Sequence, residues 1–107
     1  GIAGLYRNLR RYDESEDAYQ EALKVRKELD AENPDVFKDD LAETLNDIAE
    51  LYCDREKYEE SENAYQEALR IRKGLAEKNP DIFKFDLEET KKNIERLHLI
   101  RLSLVKN

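Results

Sequence analysis

Chain breakers are scarce in this sequence: three glycines and two prolines among 107 residues, with charged residues at 42% and hydrophobic ones at 39%. That balance suits helices with one buried stripe and broad solvated faces. The abundance of Ala, Leu, Glu, Lys and Arg agrees with helix propensity. A single cysteine, Cys53, rules out an intrachain disulfide and fits a reducing compartment, so the cytoplasm is the expected location. No apolar run approaches the roughly 18 residues of a membrane span. The N-terminal "GIAGLYRNLRRYDE" has no apolar core of secretory length. A net charge of −7 disfavours a phosphate-binding surface. Neither a membrane nor a nucleic acid is therefore an expected partner. The length suits one domain.

Signatures of catalysis are also missing. There is no glycine-rich phosphate loop and no serine in a nucleophile elbow. His98, the only histidine, has no nearby sequence partner, and Cys53 lacks a companion cysteine of metal-site spacing. The carboxylates of "YDESEDAYQE" and "YEESENAYQE" read as a solvated helix face. A calcium loop needs alternating oxygen ligands around a turn, usually with Gly. The expectation is a non-enzymatic chain with no metal and no cofactor.

Charge is unevenly spread. Residues 90–107 hold Lys91, Lys92, Arg96, Arg101 and Lys106 against Glu95, a balance of +4, so the first 89 residues sum to −11. The basic end reads either as a solvated face or as a surface for an acidic partner.

What the sequence has in quantity is itself. "YQEALKVRK" from Tyr19 returns as "YQEALRIRK" from Tyr65, and "NPDVFK" from Asn33 returns as "NPDIFK" from Asn79. Sliding the chain by 46 residues makes 26 of the first 46 aligned pairs identical, which is an internal repeat of solenoid or array type. Tyr12, Ser15, Ala18, Tyr19, Ala22, Arg26 and Leu29 recur at three- and four-residue spacing, the mark of one helical face. Leu41, Leu45, Ile48 and Tyr52 do the same after the "ENPD" break. Five helical segments follow, at about 1–9, 12–31, 36–54, 58–77 and 82–105. "NPDVFKDD" is read as a turn of its own before a third helix that begins properly near Asp39. Pro34 and Pro80 suit a first helical turn, with Asn33 and Asn79 as caps. Acidic residues gather at the start of the second helix of each unit and basic ones follow two turns later. The short polar turns "RNLRRY" and "CDREKY" make neighbouring helices antiparallel.

"LNDIAELYCDREKYEESENAYQEALRI", from Leu45 to Ile71, resembles a tetratricopeptide repeat (TPR). Leu45, the pair Ile48–Ala49 and Tyr52 match the first helix of that pattern. Tyr58, Ser61, Tyr65 and Ala68 match the second. The common repeat has about 34 residues, and the surplus here is similar to the kinesin-light-chain type. The resemblance implies an all-α fold of antiparallel helix pairs stacked into a right-handed superhelical solenoid. It divides residues 1–107, one domain, into a partial repeat (1–33), a full repeat (34–79) and the terminal helix of a third unit (80–107).

In the first helices of that family lies the inner wall of a concave groove. Carried over by register, the groove residues are Gly4 and Arg7, then Asn46, Glu50, Cys53 and Asp54, then Lys92, Arg96 and Leu99. The resemblance thus implies a protein–protein interaction scaffold that binds a peptide or helix, with Lys92 and Arg96 favouring a partner with acidic residues. Two other readings stay open: a self-assembling module that forms homo-oligomers through its terminal helices, and a non-catalytic buttress of a larger parent chain. Glu95 and His98 replace the Ala and Tyr of the other units and suit a capping helix facing water. Yet Leu97, Leu99, Ile100, Leu102, Leu104 and Val105 cover more than one face, more apolar than a cap requires. The expectation is a piece of a longer array, or an end that packs on something else.

Overall fold

A computed structural model describes residues 11–106. They form four helices and no strand: α1 (Tyr12–Glu32), α2 (Pro34–Asp54), α3 (Tyr58–Lys78) and α4 (Pro80–Lys106). The segment expected at about 1–9, with Gly4 and Arg7, lies outside the described residues.

Two helices of 21 residues, a three-residue turn and a one-residue turn make up the 46-residue period. Each turn has a local cause. Between α1 and α2 only Asn33 is non-helical, at φ −150° and ψ 78°. The ring of Pro34 clashes with an α conformation at the residue before it, and Pro itself starts a helix well because a first-turn N–H has no partner anyway. Asn79, before Pro80, repeats the geometry at φ −148° and ψ 79°. This corrects two expectations. "NPDVFKDD" is not a separate turn, since α2 is helical from Pro34. Asn33 caps with its carbonyl rather than its side chain: its oxygen accepts from the amides of Val36 and Phe37, both at 3.2 Å, and its side chain makes no capping bond. The helices also run past the basic residues, so the last turn of α1 holds no basic residue and that of α3 only Lys78.

The turn from α2 to α3 works differently. Lys57 N–H bonds the Tyr52 carbonyl at 2.8 Å and Glu56 N–H bonds the Cys53 carbonyl at 3.0 Å, with Glu56 at φ +62°. This is a Schellman closure, in which one left-handed residue satisfies the last carbonyls of a helix. Glu56 occupies the position that glycine usually fills.

Consecutive helices pack antiparallel. Arg26 of α1 donates to the Asp40 carbonyl of α2 at 3.1 Å, and Arg72 of α3 donates to the Asp86 carbonyl of α4 at 3.3 Å. Each pair sits seven residues either side of its turn residue, Asn33 or Asn79, so it ties the two arms of a hairpin together. Ser61 donates to the Ala49 carbonyl at 2.7 Å, a contact that needs the fully buried Ala49 and Ser61 to bring two backbones close.

The core forms two adjoining clusters. Leu41, Ala42 and Leu45 of α2 meet Ala68 and Ile71 of α3. Ile48, Ala49, Ala64 and Tyr65 meet Ile94 and Leu97 of α4. Burying each Leu or Ile side chain contributes about 1.5–3 kcal/mol, so α2, which carries half of the buried apolar residues, more than any other described helix, is the centre of the fold. Among the described residues, no helix is long and apolar enough to cross a membrane.

Candidate peptide-binding groove

The helices α2 and α4 are equivalent under the 46-residue shift, and both pack on α3. Hydrogen bonds across them show how closely they approach. Asn93 Nδ2 donates to Asn46 Oδ1 at 3.2 Å, and the Thr90 hydroxyl lies 3.4 Å from the same oxygen. Arg72 reaches in from α3 and donates to Thr90 Oγ1 at 2.7 Å. The guanidinium is held in a site where Arg72 is only 4% exposed, with Glu89 3.8 Å away. Its Nε has no partner. Arg72, Thr90, Asn46 and Asn93 thus form one polar chain through three helices, and that chain sets the separation of α2 and α4.

The register residues separate into two groups. Asn46, read as a groove amide, is 7% exposed and its Oδ1 is bonded inside. Its role here is to tie α2 to α4. Glu50 and Cys53 are half-buried, whereas Asp54, Lys92, Arg96 and Leu99 are exposed. Burial pushes the Cys53 thiol above its ordinary range, the carboxylates of Asp54 and Glu50 push it further, and Arg96 opposes them. Burial likewise raises the Tyr65 phenol, with Glu50 and Cys53 adding to it and Arg96 again opposing. These mutual influences put Glu50, Cys53, Asp54, Tyr65 and Arg96 in one neighbourhood. Lys92 lies one turn before Arg96 on α4, and neither forms a salt bridge with a described residue. One wall is therefore acidic, on α2, and the other basic, on α4. Leu99 adds an apolar step at the far end.

Toward the proline turns the groove holds residues that the register did not single out. The Asp39 carboxyl is raised above its ordinary value by burial first and by Asp86 next, with Arg72 opposing. The sequence carried a signal for Arg72: Arg26 and Arg72 keep the same place in an otherwise apolar stripe of both units. His98 is not idle. Its Nε2 lies 2.7 Å from Glu62 Oε1, and Arg101 lies 3.6 Å from the same oxygen. No group of three His, Cys, Asp or Glu among the described residues is arranged to hold a metal ion.

A stack of helix pairs with this period and this small-and-aromatic packing defines a helical-repeat protein. The family model for the tetratricopeptide repeat matches residues 1–74, more than half of the chain, and the chain belongs to that family. Its repeats generally mediate protein–protein interactions and are typically not catalytic. Neither a curated protein nor a solved structure gives a significant match.

Proposed function

We propose that this chain is an interaction scaffold that holds an extended or helical segment of another protein between α2 and α4. The observation that carries this reading is the pairing of an exposed basic wall, Lys92 and Arg96, with the acidic wall of Glu50 and Asp54. A segment with carboxylates toward α4 meets unpaired cations there, and a basic residue in the same segment meets α2. Leu99 gives such a segment an apolar anchor. Under this reading residues 1–107 are one domain, with residues 34–79 as its complete unit, wound as a right-handed superhelix of the extended, kinesin-light-chain-like type. The 46-residue period supports that type. Arg7 joins the same groove by register.

The test compares protein retained from a host lysate by the chain, by a Lys92→Glu, Arg96→Glu variant and by a Lys73→Glu control on the outer side of α3, each with matched helical circular dichroism. A partner kept by the chain and the control but lost from the groove variant supports the reading. Equal retention by all three moves binding away from the groove.

A further inference from the structure

The two units of the repeat agree at their packing positions and part company along one ridge of the second helix. On α1 the residues at four-residue spacing are Lys24, Glu28 and Glu32; in the same register α3 holds Arg70, Gly74 and Lys78. Where α1 has two carboxylates, α3 has a bare backbone position and a cation. The ridge passes from a net charge of −1 to +2 in a chain whose total is −7.

Gly74 lies inside α3, where glycine is less stable than alanine. A helix keeps such a residue for a positive φ or for a close approach of other atoms. Gly74 has no positive φ. A Cβ built on it meets no atom within 4 Å, so no described part of this chain approaches it either. The remaining reason for the gap is an approach from outside.

The gap opens onto a cleft of about 340 Å³ between the last turns of α3 and the first turns of α2. Ile71, Leu75 and the ring of Pro34 supply its apolar lining, and Arg70 and Lys78 flank Gly74. Lys38 and Asp35 enter from α2, so three cations stand against one carboxylate. Lys38 is 3.7 Å from Asp30 of α1. Arg70 and Lys78 are exposed and have no ionic or hydrogen-bonding side-chain partner among the described residues. Eight residues of helix separate them by about 12 Å along the axis. One phosphate or carboxylate cannot meet both, whereas about four residues of extended chain span that distance. None of the lining belongs to α4, so the cleft stands apart from the groove between α2 and α4.

We infer that this cleft is a second docking surface, which takes an acidic segment of another protein. The segment's backbone crosses Gly74, and its carboxylates meet Arg70 on one side and Lys78 on the other. Glycine permits the crossing because any side chain there would hold the segment off the helix. In the first unit Glu28 and Glu32 would repel the same segment.

The test uses the Lys92→Glu, Arg96→Glu variant, isotope-labelled, so that the groove cations are absent and the outcome bears on the cleft alone. The probe is a short peptide of alternating Glu and Ala, titrated at low ionic strength and followed by amide chemical shifts. Shifts should centre on residues 70–78 and on Lys38, with a Kd near or below about 1 mM, and the same peptide with Lys in place of Glu should give none. Gly74→Ala separates binding from folding. It should raise Tm by roughly 4 °C and weaken the peptide at least about fivefold. Arg70→Gln with Lys78→Gln should weaken it as much without the gain in Tm. A Gly74→Ala variant that binds as well as its parent overturns the inference, as does one that loses Tm, since the glycine would then serve this chain's own fold. Absent shifts overturn it too. So do equal shifts with inorganic phosphate, which would make the cleft a small-anion site. Shifts at residues 70–78 on concentrating the chain alone would give the cleft to a second copy instead.

Discussion

α1 and α3 are built from nearly the same residues, yet among the described helices only α3 packs between two others, α2 and α4. The described contacts of the two helices differ accordingly. Ile71 is buried and Val25 is half open. Arg72 reaches past its backbone acceptor on α4 to Thr90, while Arg26 has only the Asp40 carbonyl. Glu16 of α1 and Glu62 of α3 each receive an arginine from the following first-type helix or its turn, Arg55 and Arg101 respectively. Lys57 joins the first pair and His98 the second. An identical stripe is therefore a shared capacity for contact, and neighbours decide how much of it becomes stability.

The widest separation is expected in the apolar stripe. Ile71→Ala should cost about 3 kcal/mol, because a buried side chain is lost and its cavity persists. Val25→Ala should cost less than about 1 kcal/mol. Urea unfolding of both reads the difference, and equal losses would mean that Val25 is covered in solution. Next comes the arginine pair. Arg72→Ala removes a buried cation from Thr90 and the Asp86 carbonyl, for about 2–3 kcal/mol, against about 1 kcal/mol for Arg26→Ala. Equal costs would show that the polar chain from Arg72 to Asn93 adds nothing to the bond with the backbone.

A smaller effect tests why α2 stops where α4 continues. Glu56 has positive φ, so Glu56→Gly should stabilise by about 1 kcal/mol, and a rise in Tm of roughly 4–8 °C checks it. The same change at Leu102, inside the continuous helix, should destabilise instead by a similar amount. The smallest effect contrasts Asp39 with its repeat equivalent Phe85. The folded-state carboxyl of Asp39 is raised, so between the ordinary value and the raised one the folded chain binds more protons than the unfolded chain. Its contribution therefore declines as pH rises through that window, upward from 3.8. Asp39→Asn should flatten the decline, and chemical unfolding at a series of pH values measures it. A slope unchanged in the variant would assign the effect to other carboxylates.

Much of the fold was legible because its signals are local or periodic. The spacing of Leu41, Leu45, Ile48 and Tyr52 marks a helix face, and Pro34 and Pro80 mark starts. The beginning of α2 was misplaced for a physical reason: "NPDVFKDD" holds Pro, Asp and Asn, which favour turns in isolation. Here Pro34 at the first position, the Asn33 carbonyl and packing of the following turns on α1 keep it helical. For the proposed groove, register placed the walls on α2 and α4, and Lys92 and Arg96, carried over with it, are exposed. It did not distinguish Asn46, which is bonded between helices, from residues that face outward. Nor did it reveal that Arg72 enters from the other side.

The sequence by itself determined the period, the helix pairing and the family, because a stripe repeated every 46 residues has one economical way to bury itself: against its own repeat. Which copies of that stripe are covered was decided only by tertiary structure. Burial is a property of neighbours, and equivalent positions of the repeat diverge with them: Val25 is 43% exposed where Ile71, packed against α2, is 5% exposed.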